Sequence, residues 1–487
     1  VRLALAALVP PLGDEAYHWH LGSQFHLSYD HPPLAYWLAA LGPCLAPTAS
    51  FLLARLPFVL LFSGSTWLMF LLGRRVGGGW AGVHAALLFS AAPYFLAGAG
   101  TAALPEGPLI FTWLLCLWLL ARLFLDPQPE RPKLLWLALG LALGAAFLSK
   151  YHALFIPLGV ALFLMMKPAA RRRASGVGPL IALISAAIVS LPVIVWNHAH
   201  GFASFTLYLH RGVAVRGLHP EEALVNLAGQ ALLLMPWTWA LLVGCLVRGL
   251  TRGPHPPAAR LLSALAVGPL ILFTALSALN GEWDQFHWPL VAYASLFPLA
   301  GAAQAAAVER AAGWPRRRTV LSMASIVAVP AGILLYAATS WGPRLFEVIP
   351  VEAPSPWMAR NYDFSGYAGL DEALDHRGLL HRSNLFVCAE LHGLRKARLG
   401  PARPTAGGLR GALVRGQELR VLAPGVWLAR SRRPARLAHR RRCPGSRVHS
   451  PALLEDHAPG LGVCRAQQPP DAPRAPPARR PVATAAV

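Results

Sequence analysis

Apolar runs of about twenty residues alternate along this chain with short charged or Pro/Gly-rich links. Runs of that length match the thickness of a bilayer core, and in lipid only a helix satisfies its own backbone groups over such a stretch. The pattern predicts spans at roughly 52–73, 77–98, 107–125, 134–149, 152–166, 178–196, 226–247, 261–279, 288–308 and 319–341. Val1 to Leu12 are apolar but too few to cross a bilayer, which reads as a first helix cut by truncation or a start-site error. From Gly342 hydrophobicity falls. Over 371–380 the segment DEALDHRGLL reads as a helix, and from Asn384 the segment NLFVCAEL reads as a strand.

Composition sharpens this picture. Only 14% of the residues are charged while 55% are hydrophobic, against about a quarter charged in a soluble domain. The net charge of +22 points toward nucleic acid only if it gathers on one folded face, and here it does not. The basic residues fall in every second loop: Arg74 and Arg75; Arg122, Arg131 and Lys133; Lys167 and Arg171 to Arg173; Arg248, Arg252 and Arg260; Arg310 and Arg316 to Arg318. The intervening loops hold Asp14, Glu15, Asp30, Glu106, Glu221, Glu222, Glu282 and Asp284. By the positive-inside rule the basic set is cytoplasmic and the acidic set faces outward.

Three regions follow: a transmembrane domain over 1–341, a small outer region over 342–400 and a tail over 401–487. The tail holds sixteen Arg and no Lys, Ile, Phe, Tyr, Asn or Met. It reads either as a disordered basic tail or, the reading we favour, as an out-of-frame translation of a GC-rich gene. Six scattered cysteines form no CxxC pair, and Cys116 and Cys245 read as small packed hydrophobes.

The outer loop over 13–50 carries the candidate chemistry. Asp14 and Glu15 stand together near membrane level, where carboxylates are costly and usually functional. Tyr17, Trp19, Tyr29, Tyr36 and Trp37 surround them, and Pro32-Pro33 after His31 imposes an extended kink before a new helix. His18, His20, His26 and His31 lack the spacing of a metal motif, so no metal ligand is assigned and interfacial polar roles are expected. Tryptophans such as Trp113 and Trp118 read as packing residues.

The stretch DEAYHW followed by SYDHPPLAYW resembles the signature of bacterial glycosyltransferases of the dolichyl-phosphate-mannose–protein mannosyltransferase type (family 39) and of the aminoarabinose transferase that modifies lipid A. ALPEGPLIFTW, LSKYHALFIPLG, PVIVWNHAHGFASF and NGEWDQFHWP resemble later family elements more weakly. The resemblance implies an all-α polytopic bundle of the GT-C fold with outer-face loop helices. It implies transfer of a sugar from a polyprenyl-phosphate carrier to a lipid, glycan or protein acceptor at the outer face of a bacterial inner membrane. Asp14 and Glu15 are then the catalytic candidates, Asp14 taking a proton from an acceptor hydroxyl with inversion at the sugar. Tyr17, Tyr29, Asp30, His31, Glu106 and Lys150 are the substrate-binding candidates, with Lys150 facing the donor phosphate as a point charge and Arg211 and Arg216 behind it. Glu106 stands where the family usually has Asp, which suits a supporting role. No cofactor is required, a divalent metal is compatible, and no nucleic-acid partner is expected. The alternative from another class is a transporter or flippase of lipid-linked sugars, which would place ionisable groups at the midplane of broken helices.

Overall fold

The computed structural model describes residues 1–9, 13–28, 30–45, 51–212, 217–251, 256–280 and 286–311, scattered positions from there to 330, and four short strands between 385 and 431. It divides into two compact units, Val1–Leu370 and Asp371–Val487.

The first unit is built of helices: α1 (Arg2–Leu8), α2 (Gly13–Ser23), α3 (Leu34–Leu45), α4 (Phe51–Gly77), α5 (Gly79–Ala91), α6 (Ala99–Thr101), α7 (Glu106–Leu125), α8 (Pro132–Ser149), α9 (Phe155–Met166), α10 (Pro168–Ala174), α11 (Gly178–Ala199), α12 (Ala203–Gly212), α13 (Pro220–Leu234), α14 (Pro236–Leu250), α15 (Pro257–Asn280), α16 (Leu290–Tyr293) and α17 (Phe297–Arg310). Among the described residues five helices are long and apolar enough to cross a bilayer, or up to seven if each bent pair counts as one span. The sequence pattern marks ten spans, and the differences have physical causes. The run over 77–98 bends by 78° between Gly79–Ala91 and Tyr94–Thr101. Pro93 pushes Ala92 into extended backbone, and a π turn follows over Tyr94–Gly98. The run over 226–247 breaks by 110° at Met235, where Pro236 opens α14 and Met235 takes a left-handed φ of 68°. The run over 152–166 begins as a 3-10 turn, Tyr151–Leu154, and continues in the 12-residue α9, which at 1.5 Å per residue reaches only about 18 Å. The run over 288–308 is interrupted by turn residues between α16 and α17. Most of 319–341 lies outside the described residues.

The core lies where α4, α5, α7, α8 and α17 meet. Phe62, Phe89, Phe95 and Phe297 pack ring on ring, with Phe62 and Phe89 stacked at 4.9 Å. Trp113 is fully buried and donates its indole N–H to Ser295 Oγ at 2.9 Å. Trp118 instead lies under the Arg122 guanidinium. Cys116 is buried as a packed hydrophobe. Lipid-type surface is plainest on α11, where Leu180, Leu183, Ile184, Ile188, Leu191 and Val195 are exposed while Ala182, Ser185 and Ala186 face inward. The opposite partner, α8, carries Gly140 and Gly144 one turn apart. A Cβ on Gly140 would collide with Ser185 Oγ and the Ala182 carbonyl, and one on Gly144 with Val189. Small residues let the two backbones approach closely, which is how helices associate without a hydrophobic drive.

The basic ends of several helices are held together. Asp126, just beyond α7, pairs with Arg75 in the last turn of α4 and with Arg122 at 2.7 Å. Arg173 of α10 donates to the Leu123, Asp126 and Pro127 carbonyls. Three of the loops read as cytoplasmic from their charge therefore meet at one end of the bundle.

In the second unit, β1 (Leu385–Phe386), β2 (Leu413–Val414), β3 (Gln417–Ala423) and β4 (Val426–Ser431) form an antiparallel sheet in the order β1-β4-β3-β2. β1 falls within the expected strand from Asn384, and the expected helix over 371–380 lies outside the described residues. β2 to β4 depart from the expectation of a tail without structure. The cause is local: Leu419 and Val421 alternate with Glu418 and Arg420, and the β-favouring residues Val426, Trp427 and Leu428 follow a Pro-Gly pair.

The glycine-lined contact makes a direct prediction. Gly140→Leu overpacks the α8–α11 seam and should destabilise the first unit by about 1–3 kcal/mol, seen as a lower melting temperature of the detergent-solubilised protein.

Candidate active site

Two carboxylates adjacent on a helix point about 100° apart, and α2 divides Asp14 and Glu15 accordingly. Asp14 is exposed in the first turn. Glu15 is only 2% exposed and accepts from Arg55, Nε to Oε1 at 2.8 Å and Nη2 to Oε2 at 2.5 Å. The Ala103 amide adds a third hydrogen bond to Oε1 at 2.7 Å. Arg55 Nη1 donates in turn to the Ala6 and Val9 carbonyls at 2.9 and 2.7 Å. Both oxygens of Glu15 are thus committed to joining α1, α2, α4 and the segment before Glu106. The catalytic role expected of it gives way, on this geometry, to a positioning one. Arg55 was not legible as a partner, because it sits inside an apolar run with no sequence cue tying it to residue 15.

The segment after α2 folds back over the same end. Tyr36, fully buried on α3, donates to Asp30 Oδ1 at 2.6 Å and accepts the His31 amide at 3.0 Å. Tyr17 reaches the same Asp30 oxygen at 3.2 Å. Pro32-Pro33 sets the kink that brings His31 back beside His18, with ring centroids 6.1 Å apart. His18 is itself buried, with Nδ1 at 2.8 Å from the Ala103 carbonyl, and is not the interfacial surface group its sequence context suggests. His31 Nδ1 lies 2.6 Å from the Tyr208 hydroxyl of α12. Ser28 contacts Ser204 Oγ at 3.1 Å, and Asn197 Oδ1 accepts the Ser204 amide at 3.1 Å. The chain around 197–208 therefore packs against the segment that carries Ser28 and His31.

Glu106 and Lys150 complete the cluster. Glu106 is the first residue of α7 and Lys150 follows the last of α8, so both stand at one end of apolar helices. Lys150 Nζ meets Glu106 Oε1 at 2.6 Å, with both residues buried. Burial opposes ionisation of Asp30, but His31, the Tyr36 hydrogen bond, His18 and Tyr17 outweigh it and hold its carboxyl below the usual range. Burial, followed by the Asp30 charge, keeps the Tyr36 hydroxyl protonated. Burial dominates at His31, and the Lys150 and His18 charges add to it against the opposing pull of Asp30, bringing its pKa down to about 4. At neutral pH the pocket thus holds neutral His31 beside ionised Asp30.

Of the expected site residues, the structure brings Tyr17, Asp30, His31, Glu106 and Lys150 into one neighbourhood and anchors Glu15 beside it. Tyr29, Arg216, Glu282 and Trp283 lie outside the described residues, as does the side chain of Arg211. Arg55 and Tyr208 join from outside the motifs, and His18, Tyr36, His152 and His287 from within motifs that gave them no role as site residues. Among the described residues no three His, Cys, Asp or Glu side chains are grouped as metal ligands.

Residues 30–196 match the family model for dolichyl-phosphate-mannose-protein mannosyltransferase. The chain is 29% identical over 192 residues to lipid A galacturonosyltransferase RgtD of Rhizobium johnstonii, a match covering 38% of each chain. Its structure is similar to ArnT from Cupriavidus metallidurans bound to undecaprenyl phosphate, with TM-score 0.51, 17% identity and coverage of 67% of this chain and 61% of that one. ArnT in the apo state gives TM-score 0.50 at 16% identity, covering 66% and 59%. The chain thus spans about two fifths of the curated relative and three fifths of the ArnT structures.

Two predictions follow from this geometry. Arg55→Ala strands a buried carboxylate and should destabilise the protein by about 3–5 kcal/mol, whereas the paired change Arg55→Met with Glu15→Leu should recover much of that loss in thermal unfolding. His31 generates a pH effect. Below about 6.5 the unfolded chain takes up a proton that the folded protein refuses, so stability should fall as pH drops from there toward about 4. His31→Gln should flatten that part of the pH–stability curve.

Proposed function

We propose that this chain is a GT-C glycosyltransferase of the mannosyltransferase and ArnT type, transferring a sugar from a polyprenyl-phosphate carrier to an acceptor at the outer face of a bacterial inner membrane. The observation that carries the reading is the convergence of Asp30, His31, Glu106 and Lys150 at one end of an apolar bundle, with the exposed Asp14 one turn before His18 on α2. That end is where a lipid carrier would present its phosphosugar, since the carrier's tail partitions into the bilayer and its head stays at the interface. The basic loops gathered around Asp126 support a cytoplasmic assignment for their end, which leaves Asp14, Glu106 and Lys150 facing outward.

In the proposed step an acceptor hydroxyl oxygen attacks the anomeric carbon as its proton passes to Asp14. The bond from that carbon to the phosphate oxygen breaks, and the polyprenyl phosphate leaves with the electron pair. The configuration inverts. Lys150, oriented by Glu106, balances the charge that grows on the leaving phosphate. Tyr36 and Tyr17 keep Asp30 in place, and Asp30 and His31 are free to meet sugar hydroxyls as acceptor and donor. Glu15 and Arg55 hold α2 so that Asp14 stays at the rim. No cofactor is assigned to the step. A lipid acceptor is favoured by the similarity to a lipid A galacturonosyltransferase; a glycan or protein acceptor is the alternative. The flippase reading loses ground because the buried polar network of α13 and α15 is uncharged and internally satisfied: Asn226 on Ser277 at 2.8 Å, Gln230 on Asn226 at 2.6 Å and Tyr293 on Gln230 at 2.8 Å.

The test is transfer of labelled sugar from a polyprenyl-phosphate donor to lipid A in membranes expressing the protein. Asp14→Asn should lower turnover about 10²–10⁴-fold without changing the melting temperature. Unaltered turnover in that variant would remove Asp14 from the mechanism.

A further inference from the structure

His152 stands two residues after Lys150, on the 3-10 turn that follows α8. It is only 6% exposed, and its Nε2 is enclosed by protein without a hydrogen-bond partner. Its ring stacks on Phe273 at 4.7 Å and stands edge-on to Trp288, and Phe273 and Trp288 also pack on each other. Lys150, Glu106, His31 and His287 are near enough to act on its charge. A buried polar atom without a partner is destabilising, and a phenyl ring would fill this aromatic slot without that penalty. An unmet imidazole nitrogen next to the site's lysine is therefore explained by a ligand and not by packing.

Resting on the transferase reading above, we propose that His152 donates through Nε2–H to a phosphate oxygen of the lipid carrier, as the second phosphate contact beside Lys150. The two groups divide the work. Lys150 supplies charge, which acts over distance and is shared with Glu106. His152, locked between Phe273 and Trp288, supplies a fixed direction and so selects a phosphate at one depth in the bundle. A free polyprenol offers only a neutral hydroxyl, a weaker acceptor than an ionised phosphate oxygen.

The experiment measures binding of undecaprenyl phosphate, and of undecaprenol as its phosphate-free control, to full-length protein in phosphatidylglycerol nanodiscs. His152→Phe should weaken undecaprenyl phosphate about tenfold or more, leave undecaprenol unchanged, and keep or raise the melting temperature. His152→Gln, which retains a donor, should recover most of the affinity. Equal affinity for the phosphate in wild type and His152→Phe overturns the proposal, as does an equal loss for both lipids, which would mean the ring acts by shape. If His152→Phe fails to fold, His152→Met serves as the apolar variant under the same criteria. Wild-type binding lost in His152→Phe but without sugar transfer by wild type would uphold the phosphate contact and reject the transferase. Sugar transfer with an unchanged donor KM in His152→Phe would do the reverse.

Discussion

The buried pair of Glu15 and Arg55 is the contact on which the acidic end of the bundle depends. Two charges withdrawn from water must satisfy nearly all of their hydrogen-bonding capacity within the protein. They do so by binding backbone from two separate segments: the Ala6 and Val9 carbonyls at the end of α1, and the Ala103 amide ahead of α7. The Ala103 carbonyl then receives His18. One ion pair thereby sets the position of α2 relative to α4 and α7, and with it the place of Asp14 and of Glu106. Replacing it with apolar side chains should preserve stability better than breaking it. A buried pair of this kind is better understood as fixing register than as a source of stability.

From that anchor the site grows by short hydrogen bonds between elements far apart in sequence. Tyr36 fixes Asp30 and the His31 amide together, and Tyr208 fixes the His31 ring from α12. Lys150 and Glu106 join the ends of α8 and α7. Each charged group is oriented by a neighbour that packing already holds, which is the condition for electrostatic stabilisation without reorganisation. The bends at Pro93 and Pro236 belong to the same design. They break two apolar runs, the first beside the buried Ala91 and Ala92.

The apolar runs, their basic caps and the paired motifs are local properties, and they were readable from residue order alone. A span needs only length and hydrophobicity, so Phe51–Gly77, Glu106–Leu125, Pro132–Ser149, Gly178–Ala199 and Pro257–Asn280 are found where the pattern puts them. The run from Asp14 to Trp37 was likewise enough to carry the resemblance to a family of membrane glycosyltransferases, and the candidate residues Asp30, His31, Glu106 and Lys150 were drawn from motifs that do meet in space. The β-favouring residues on either side of Pro424-Gly425 were also a local signal, and the stretch's arginine-rich composition obscured it.

Residue order did not determine which of two adjacent acids would be exposed, or which cation would face the other. Glu15 and Arg55 are separated by forty residues, and only the docking of α2 on α4 makes them partners. His18, His31 and His152 are one residue type in similar aromatic settings, and the fold gives each a different partner: a carbonyl, a tyrosine, and none. Hydropathy is a sum over neighbours in sequence, whereas burial, pairing and orphaned atoms are properties of neighbours in space. The sequence by itself therefore determined the long apolar spans, their basic ends and most of the charged groups of the site. The tertiary structure decided which member of the site is anchored, which is exposed and which still has a bond to make.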